Sequence, residues 1–410
     1  MIFLDKTYTI RNLQTFLCVI IGLIYFYFCY DSLYERIIVW SDGYALGDWL
    51  INYEDGGFKR RGLSGTIFIS LSRLSGIYVG KIVFSFVLFL YLTFLILLIR
   101  TIRNIKIDFR LILFFLLPTV FFFPLNDFYA FGRKEIIFFN IFILFIDSYY
   151  KRDVYSWKFI LTLSFIIAFA TFLHELTVFY VPYIMLIYLF FYLKEQKGSL
   201  FKISIIGASA FIPAFIIFTL GKDINEGNSW VIFKELGVAE NVMNGIFDWP
   251  KEGFGKGKVN ALDFAKVKNY ELYIISYLIT LSVYIFTLFR KKILELPVYK
   301  IIVLHFALVL LSLPLFFLTI DWGRWLNIHF MCLAFILILF YERINPFERI
   351  SVRSILTHLF SFKYGIKFLI FIILVFGISM HHVELGFKFG QNDFLKAIRD
   401  LFWKLRHFNL

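Results

Sequence analysis

Four short charged motifs stand at the ends of long apolar runs. They are Asp55-Gly56-Gly57-Phe58-Lys59-Arg60-Arg61, the stretch from Asn126-Asp127 to Gly132-Arg133-Lys134-Glu135, His174-Glu175, and Asp321-Trp322-Gly323-Arg324-Trp325. Arginine presents a planar fork that matches phosphate oxygens, and glycine-rich turns offer backbone amides to an anion. Carboxylates beside such bases can take a proton from a hydroxyl. The set therefore points to one polar site for a phosphorylated group.

Each motif has a plainer reading beside this one. Around Asp55, two acids and three bases sit among four glycines between Tyr53 and Gly65, which also suits a solvated turn. Arg60 and Arg61 are the expected phosphate ligands there, with Asp55 and Asp48 as candidate catalytic acids. Arg133 and Lys134 open a helix, where they oppose its dipole, so an anion between them makes sense of the placement. An ion pair with Asp127 or Glu135 is the alternative. Arg133 is the first choice for a pyrophosphate contact, and Asp127 is a further candidate carboxylate.

His174-Glu175 interrupts an apolar stretch from Ile160 to Phe191. A carboxylate in that position should face protein or a water-filled cavity. Glu175 is expected to act as a general base, because burial tends to raise a carboxylate pKa. Asp321 and Arg324 interrupt Ile301 to Tyr341 in the same way, as substrate contacts or as an interfacial salt bridge. His329 lies about a turn and a half deeper and reads as a packed histidine, and His305, His358 and Cys332 read as structural or solvated.

No metal-ligand spacing is present. Cys18, Cys29 and Cys332 are scattered among apolar residues, and His381-His382 with Glu384 point in different directions on a helix. A divalent cation, Mg or Mn, bridging pyrophosphate to Asp48, Asp55 or Asp127 is conceivable, yet the lysines and arginines suffice to neutralise that charge.

The elements that must position these residues are membrane helices. The chain is 60% hydrophobic and 17% charged, with a mean hydropathy of +0.77, whereas a soluble domain is about 25% charged. The net charge of +13 comes from bases grouped in short loops, with no basic helix or aromatic platform for nucleic acid. Apolar runs near 12–30, 78–99, 110–126, 135–150, 158–174, 176–193, 203–221, 270–289, 300–320, 325–341 and 364–383 predict an all-α polytopic bundle of about eleven spans, within a range of 10–13.

With the N-terminus cytoplasmic, the basic loops around Arg100, Lys151, Lys194, Arg290 and Arg343 fall inside, as the positive-inside rule asks. All four motifs then fall outside. One membrane-embedded domain covers 1–410, with an outer loop at 31–77 carrying amphipathic and catalytic elements and a larger Gly- and Lys-rich loop at 222–269. The N-terminal run lacks a small-residue cleavage site and reads as a retained span. An amphipathic tail is expected at 384–410.

The four motifs together resemble those of bacterial inner-membrane proteins of surface-polysaccharide assembly. They are similar to O-antigen or capsule repeat-unit polymerases and, more loosely, to membrane-embedded GT-C type glycosyltransferases with acids in their first outer loop. The resemblance implies glycosyl transfer or polymerisation from an undecaprenyl-diphosphate donor on the periplasmic side, with other polysaccharide assembly proteins as partners. It assigns Asp55 or Asp48 as the first-loop acid and Arg60, Arg61, Arg133 and Arg324 as phosphate ligands. The 222–269 loop lacks the arginines such polymerases carry there, which favours a transferase of single sugars. A flippase using the same charges is the alternative, and it would be expected to show paired repeats.

Overall fold

The computed structural model describes residues 7–151, 153–195, 199–222, 224–244, 271–291, 298–318, 321–341, 343, 349–351, 373–375, 379–381, 385–386 and 393–407. The fold is all-α, with only two pairs of very short strands among the described residues. The long helices are α1 (Ile10–Leu33), α2 (Gly62–Ser75), α3 (Val79–Ile102), α4 (Phe109–Leu116), α5 (Glu135–Tyr150), α6 (Trp157–Leu173), α7 (Thr177–Glu195), α8 (Leu200–Leu220), α9 (Glu226–Glu235), α10 (Glu271–Lys291), α11 (Val298–Leu318), α12 (Trp322–Phe340) and α13 (Asp393–His407).

Among the described residues, five helical segments are long and apolar enough to cross a membrane: Ile10–Val39, Val79–Ile102, Leu200–Leu220, Glu271–Leu288 and Trp322–Phe340. Shorter apolar helices at Trp157–Leu173, Thr177–Leu193 and His305–Phe316 pack among them. Phe89, Phe165, Phe215 and Leu193 are exposed on the rim of this bundle, an apolar surface that water would not tolerate but lipid does. At its centre stands α12, buried on every side from Gly323 to Leu339. A helix apolar all round is the kind that packs in the middle of a bundle.

The expected span at 110–126 is not one helix. α4 stops at Leu116, a turn follows, and a short helix resumes at Phe123–Asn126. Eight residues rise only about 12 Å, too little to cross a bilayer. Pro118 explains the break, since the residue before a proline is driven out of the helical region, and Leu117 is extended. The 364–383 run lies largely outside the described residues. In the expected tail, α13 forms, and its Phe394 packs edge-on against Phe28 and Phe122.

The bundle has two distinct ends. At one, strand Thr7–Thr9 pairs with Arg349–Ser351, Arg100 and Lys151 meet Asp147, and the Tyr341 hydroxyl donates to Asp108. That end gathers loops rich in Lys and Arg. At the other end, the 34–61 segment folds over the turn at 126–134. Arg36 donates to the Tyr129 carbonyl and to Asp42, whose carboxylate also caps the amides of Tyr44 and Ala45, while the Trp49 indole donates to the Gly132 carbonyl at 3.0 Å.

Two glycines allow this docking. A Cβ on Gly65 would lie 2.2 Å from the Ile51 carbonyl, and one on Gly132 would lie 2.8 Å from the Ala45 Cβ. Backbone can approach backbone this closely only where no side chain intervenes.

Candidate functional site

Asp48, Arg61, Lys134, Glu135, His174, Glu175, Asp321 and Arg324 meet at the end where the first loop docks. Arg61 is the hinge of the arrangement. It precedes the first residue of α2 in a left-handed conformation with φ of +63°, a region costly for a residue with a Cβ and found most often at functional sites. From there its Nη1 donates to Asp48 at 2.9 Å, and its Nε and Nη2 donate to the Glu175 carboxylate at 3.0 to 3.2 Å. Arg60, half exposed, reaches the same carboxylate at 3.5 Å.

Lys134 fills the space beneath. Its Nζ donates to Ser64 Oγ at 3.0 Å and to the Leu173 carbonyl at 3.3 Å, and lies 4.0 Å from Asp48. His174 sits between two carboxylates, with Nε2 3.6 Å from Glu135 and Nδ1 3.8 Å from Glu175. Glu135 in turn accepts from the Arg324 guanidinium, which also donates to Asp321. Charges this deeply buried persist only when paired and hydrogen-bonded.

Electrostatics keep the acids ionised. Burial by itself would raise Asp48, but Lys134, Arg61 and His174 together hold it well below the usual carboxylate range. The same contest at Glu175 is won by Arg61, Arg60 and His174, which hold it far down against its burial. The expected rise at Glu175 is therefore corrected: burial acts in the expected direction, and the arginines outweigh it. Burial lowers Lys134 to about 8, with Asp48 opposing and Arg61 assisting.

Arg133 has a different environment. It is buried, stacks on the Tyr44 ring at 5.0 Å, and has no carboxylate within ion-pair distance among the described residues. Burial and then Arg324 lower its pKa, with Asp321 and Glu135 opposing. Arg133, Glu135, Arg324 and Asn327 line a cavity of about 20 Å³ walled by Tyr91 and Phe123, room for little more than one water. Counting Arg60, Arg61, Arg133, Lys134 and Arg324 against Asp48, Glu135, Glu175 and Asp321, the cluster carries one more base than acid.

Two candidate acids are held elsewhere. Asp55 is fully buried, paired with Lys59, and accepts from Ser229 Oγ at 2.5 Å while Asn228 donates to its carbonyl. It fastens the 222–244 segment to the first loop. Asp127 caps the short 3-10 turn that follows it by accepting from the Tyr129 amide. Its carboxylate groups with His381 and Asp393, their ligand atoms within 4.8 Å of one another. Asp393 is already bound by Lys396 and the Phe128 amide.

A divalent cation finds its acids committed in the main cluster, where Asp48 and Glu175 share Arg61 and Glu135 holds Arg324. The sequence named Glu135 only as an ion-pair partner for Arg133 or Lys134, whereas it pairs with Arg324, and it gave Ser64 and Tyr44 no role. Glu135 was signalled by its place beside Arg133 and Lys134, whereas nothing local marks Tyr44 as the partner of a guanidinium 89 positions away.

No family model, curated protein or solved structure matches the chain.

Proposed function

We propose that this cluster binds the diphosphate head of a polyprenyl-linked sugar and transfers the sugar to a hydroxyl acceptor, at the periplasmic face of a bacterial inner membrane with the N-terminus cytoplasmic. The observation that carries the reading is Arg61 held between Asp48 and Glu175, with the Glu135–Arg324 pair of the same cluster sharing a cavity with Arg133, a buried guanidinium with an aromatic stack in place of a carboxylate. The excess base suits an anionic head. The polyprenyl tail needs no protein pocket, since it partitions into the bilayer at about 0.8 kcal/mol per methylene.

In the reaction, the bond from the anomeric carbon to the diphosphate oxygen breaks and a bond to the acceptor oxygen forms. Arg133, Arg61 and Arg324 stabilise the negative charge growing on the departing diphosphate. The acceptor's proton passes to a carboxylate, and Asp48 is the assigned base. Ion-paired as it stands, Asp48 is a weak base. When a diphosphate draws Arg61 and Lys134 toward itself, Asp48 loses the charges that hold its pKa down and gains basicity at the moment of use.

The cavity beside Arg133 is too small for a diphosphate, so binding opens the contact between the first loop and the 126–134 turn. The test is incubation of the purified protein in nanodiscs with a lipid-diphosphate sugar or repeat unit. One added sugar indicates a transferase, a ladder a polymerase, and transfer between leaflets without chemistry the flippase alternative.

A further inference from the structure

Asp127, His381 and Asp393 bring two carboxylates and an imidazole together from three segments remote in sequence. Asp127 lies in the 126–134 turn, His381 follows the two-residue strand Ser379–Met380 that pairs with Leu385–Gly386, and Asp393 is the first residue of α13. One ligand atom from each lies within 4.8 Å of the other two. Among the described residues, no other three His, Cys, Asp or Glu side chains meet in this way.

Each segment is fixed by a contact of its own. The Tyr129 amide donates to Asp127, the Tyr273 hydroxyl donates to the His381 carbonyl at 2.8 Å, and Phe394, next to Asp393, packs on Phe28 and Phe122. Side chains gathered beforehand spare a ligand the cost of ordering them. The donor set is also selective. Carboxylates alone suit Mg²⁺ or Ca²⁺, whereas an imidazole among them favours Zn²⁺, and the ring nitrogen on the Asp127 side is Nδ1, at 3.9 Å from Oδ1. Zinc takes His nitrogen and Asp oxygen at about 2.0–2.2 Å, so ligand atoms on one tetrahedral ion are about 3.4 Å apart. From 4.8 Å the set contracts by at most about 1.4 Å, which side-chain rotation supplies.

We propose that Asp127, His381 and Asp393 bind one Zn²⁺ ion, which clips α13 to the turn that carries Arg133. Two carboxylates balance its charge, and water takes the fourth position. His381 and Asp393 are partly exposed and Asp127 is wholly buried, so the ion enters from solvent and rests on Asp127. Lys396 Nζ, 3.2 Å from Asp393 Oδ1, competes for that carboxylate. It is half exposed, and such a surface pair is worth about 0–1 kcal/mol, so the ion displaces it. The Phe128 amide holds the other Asp393 oxygen at 3.1 Å, and a carboxylate has about four lone-pair positions. The competing state is a protonated His381 paired with Asp127 and no metal.

The test needs no sugar substrate, so its outcome is separate from that of the glycosyl-transfer reading. Untagged full-length protein in nanodiscs, stripped with EDTA, is titrated with zinc chloride alone. Calorimetry is expected to find one Zn²⁺ per chain, with a matching rise in melting temperature, because the ion binds the folded state. His381→Ala is expected to weaken binding by about 100-fold or more and to remove the rise, while His382→Ala leaves both unchanged. Should His381→Ala not fold, Co²⁺ in the wild type gives the answer, with tetrahedral visible bands and no thiolate charge-transfer band expected. No zinc bound by the wild type, equal affinity in folded His381→Ala, loss of binding in His382→Ala, or a cobalt spectrum showing thiolate ligation would overturn the site.

Discussion

Arg61 and Glu175, 114 positions apart, form a forked ion pair in which both Nε and Nη2 of the guanidinium donate to one carboxylate. The pair ties the first loop to the junction of α6 and α7, and Asp48 on the remaining nitrogen closes a triad. Removing one partner leaves the others charged and buried. Arg61→Ala is expected to cost about 3–5 kcal/mol, and Arg61→Lys to recover only part of it, because a point charge cannot serve two carboxylates as a fork does. Thermal unfolding in detergent, followed by size-exclusion fluorescence, checks both variants.

Gly65→Ala tests the docking of α2. The added Cβ meets the carbonyls of Leu50 and Ile51, and backbone cannot move aside without displacing Asp48. A loss of about 1–3 kcal/mol is expected. Gly76→Ala is its control for space, since a Cβ there meets nothing within 4 Å, though its φ of +66° adds backbone strain. Only Gly65→Ala should also lower activity, measured as turnover of the lipid-linked donor.

The pH dependence turns on Lys134. Its folded pKa is about 8 against 10.5 for the free side chain. Between those values the unfolded chain binds more protons than the folded one, so this lysine makes stability rise with pH across that window. Lys134→Met should flatten the rise in a series of unfolding curves. Anion binding moves the opposite way, weakening as Lys134 loses its charge above pH about 8, a decline that titrating diphosphate affinity against pH would reveal.

Asp48 and Asp55 separate by role. Asp48→Asn removes a carboxylate that touches Arg61 in the cluster, and it is expected to lower kcat by about 100-fold or more with the fold retained. Asp55→Asn instead strands Lys59 and loosens the 222–244 segment. Its signature is faster proteolysis of that segment, read by limited trypsin digestion.

Much of this site was legible because ionised residues at the ends of apolar runs have few places to go. The meeting of the first loop, the 126–135 turn, His174-Glu175 and Asp321-Arg324 follows from that constraint. What stayed hidden depended on partners remote in sequence. Asp55 looked like the catalytic acid of its motif, and Ser229 is what reveals it as a fastener. Glu175 was expected to titrate high because burial was visible and Arg61 was not. The 110–126 run reads as a span by hydropathy, and only the turn at Pro118 divides it. His329 read as a packed histidine, and it is buried and hydrogen-bonded to Tyr183, 146 positions away.

The most direct measurement is binding of a polyprenyl-diphosphate sugar to the purified protein in nanodiscs, comparing wild type with Arg133→Ala. Arg133 stacks on Tyr44 and pairs with no carboxylate among the described residues, so its loss should leave the ion-paired cluster standing. The account predicts unchanged melting and a loss of binding together with sugar transfer. Equal affinity and equal product from the folded variant would contradict it.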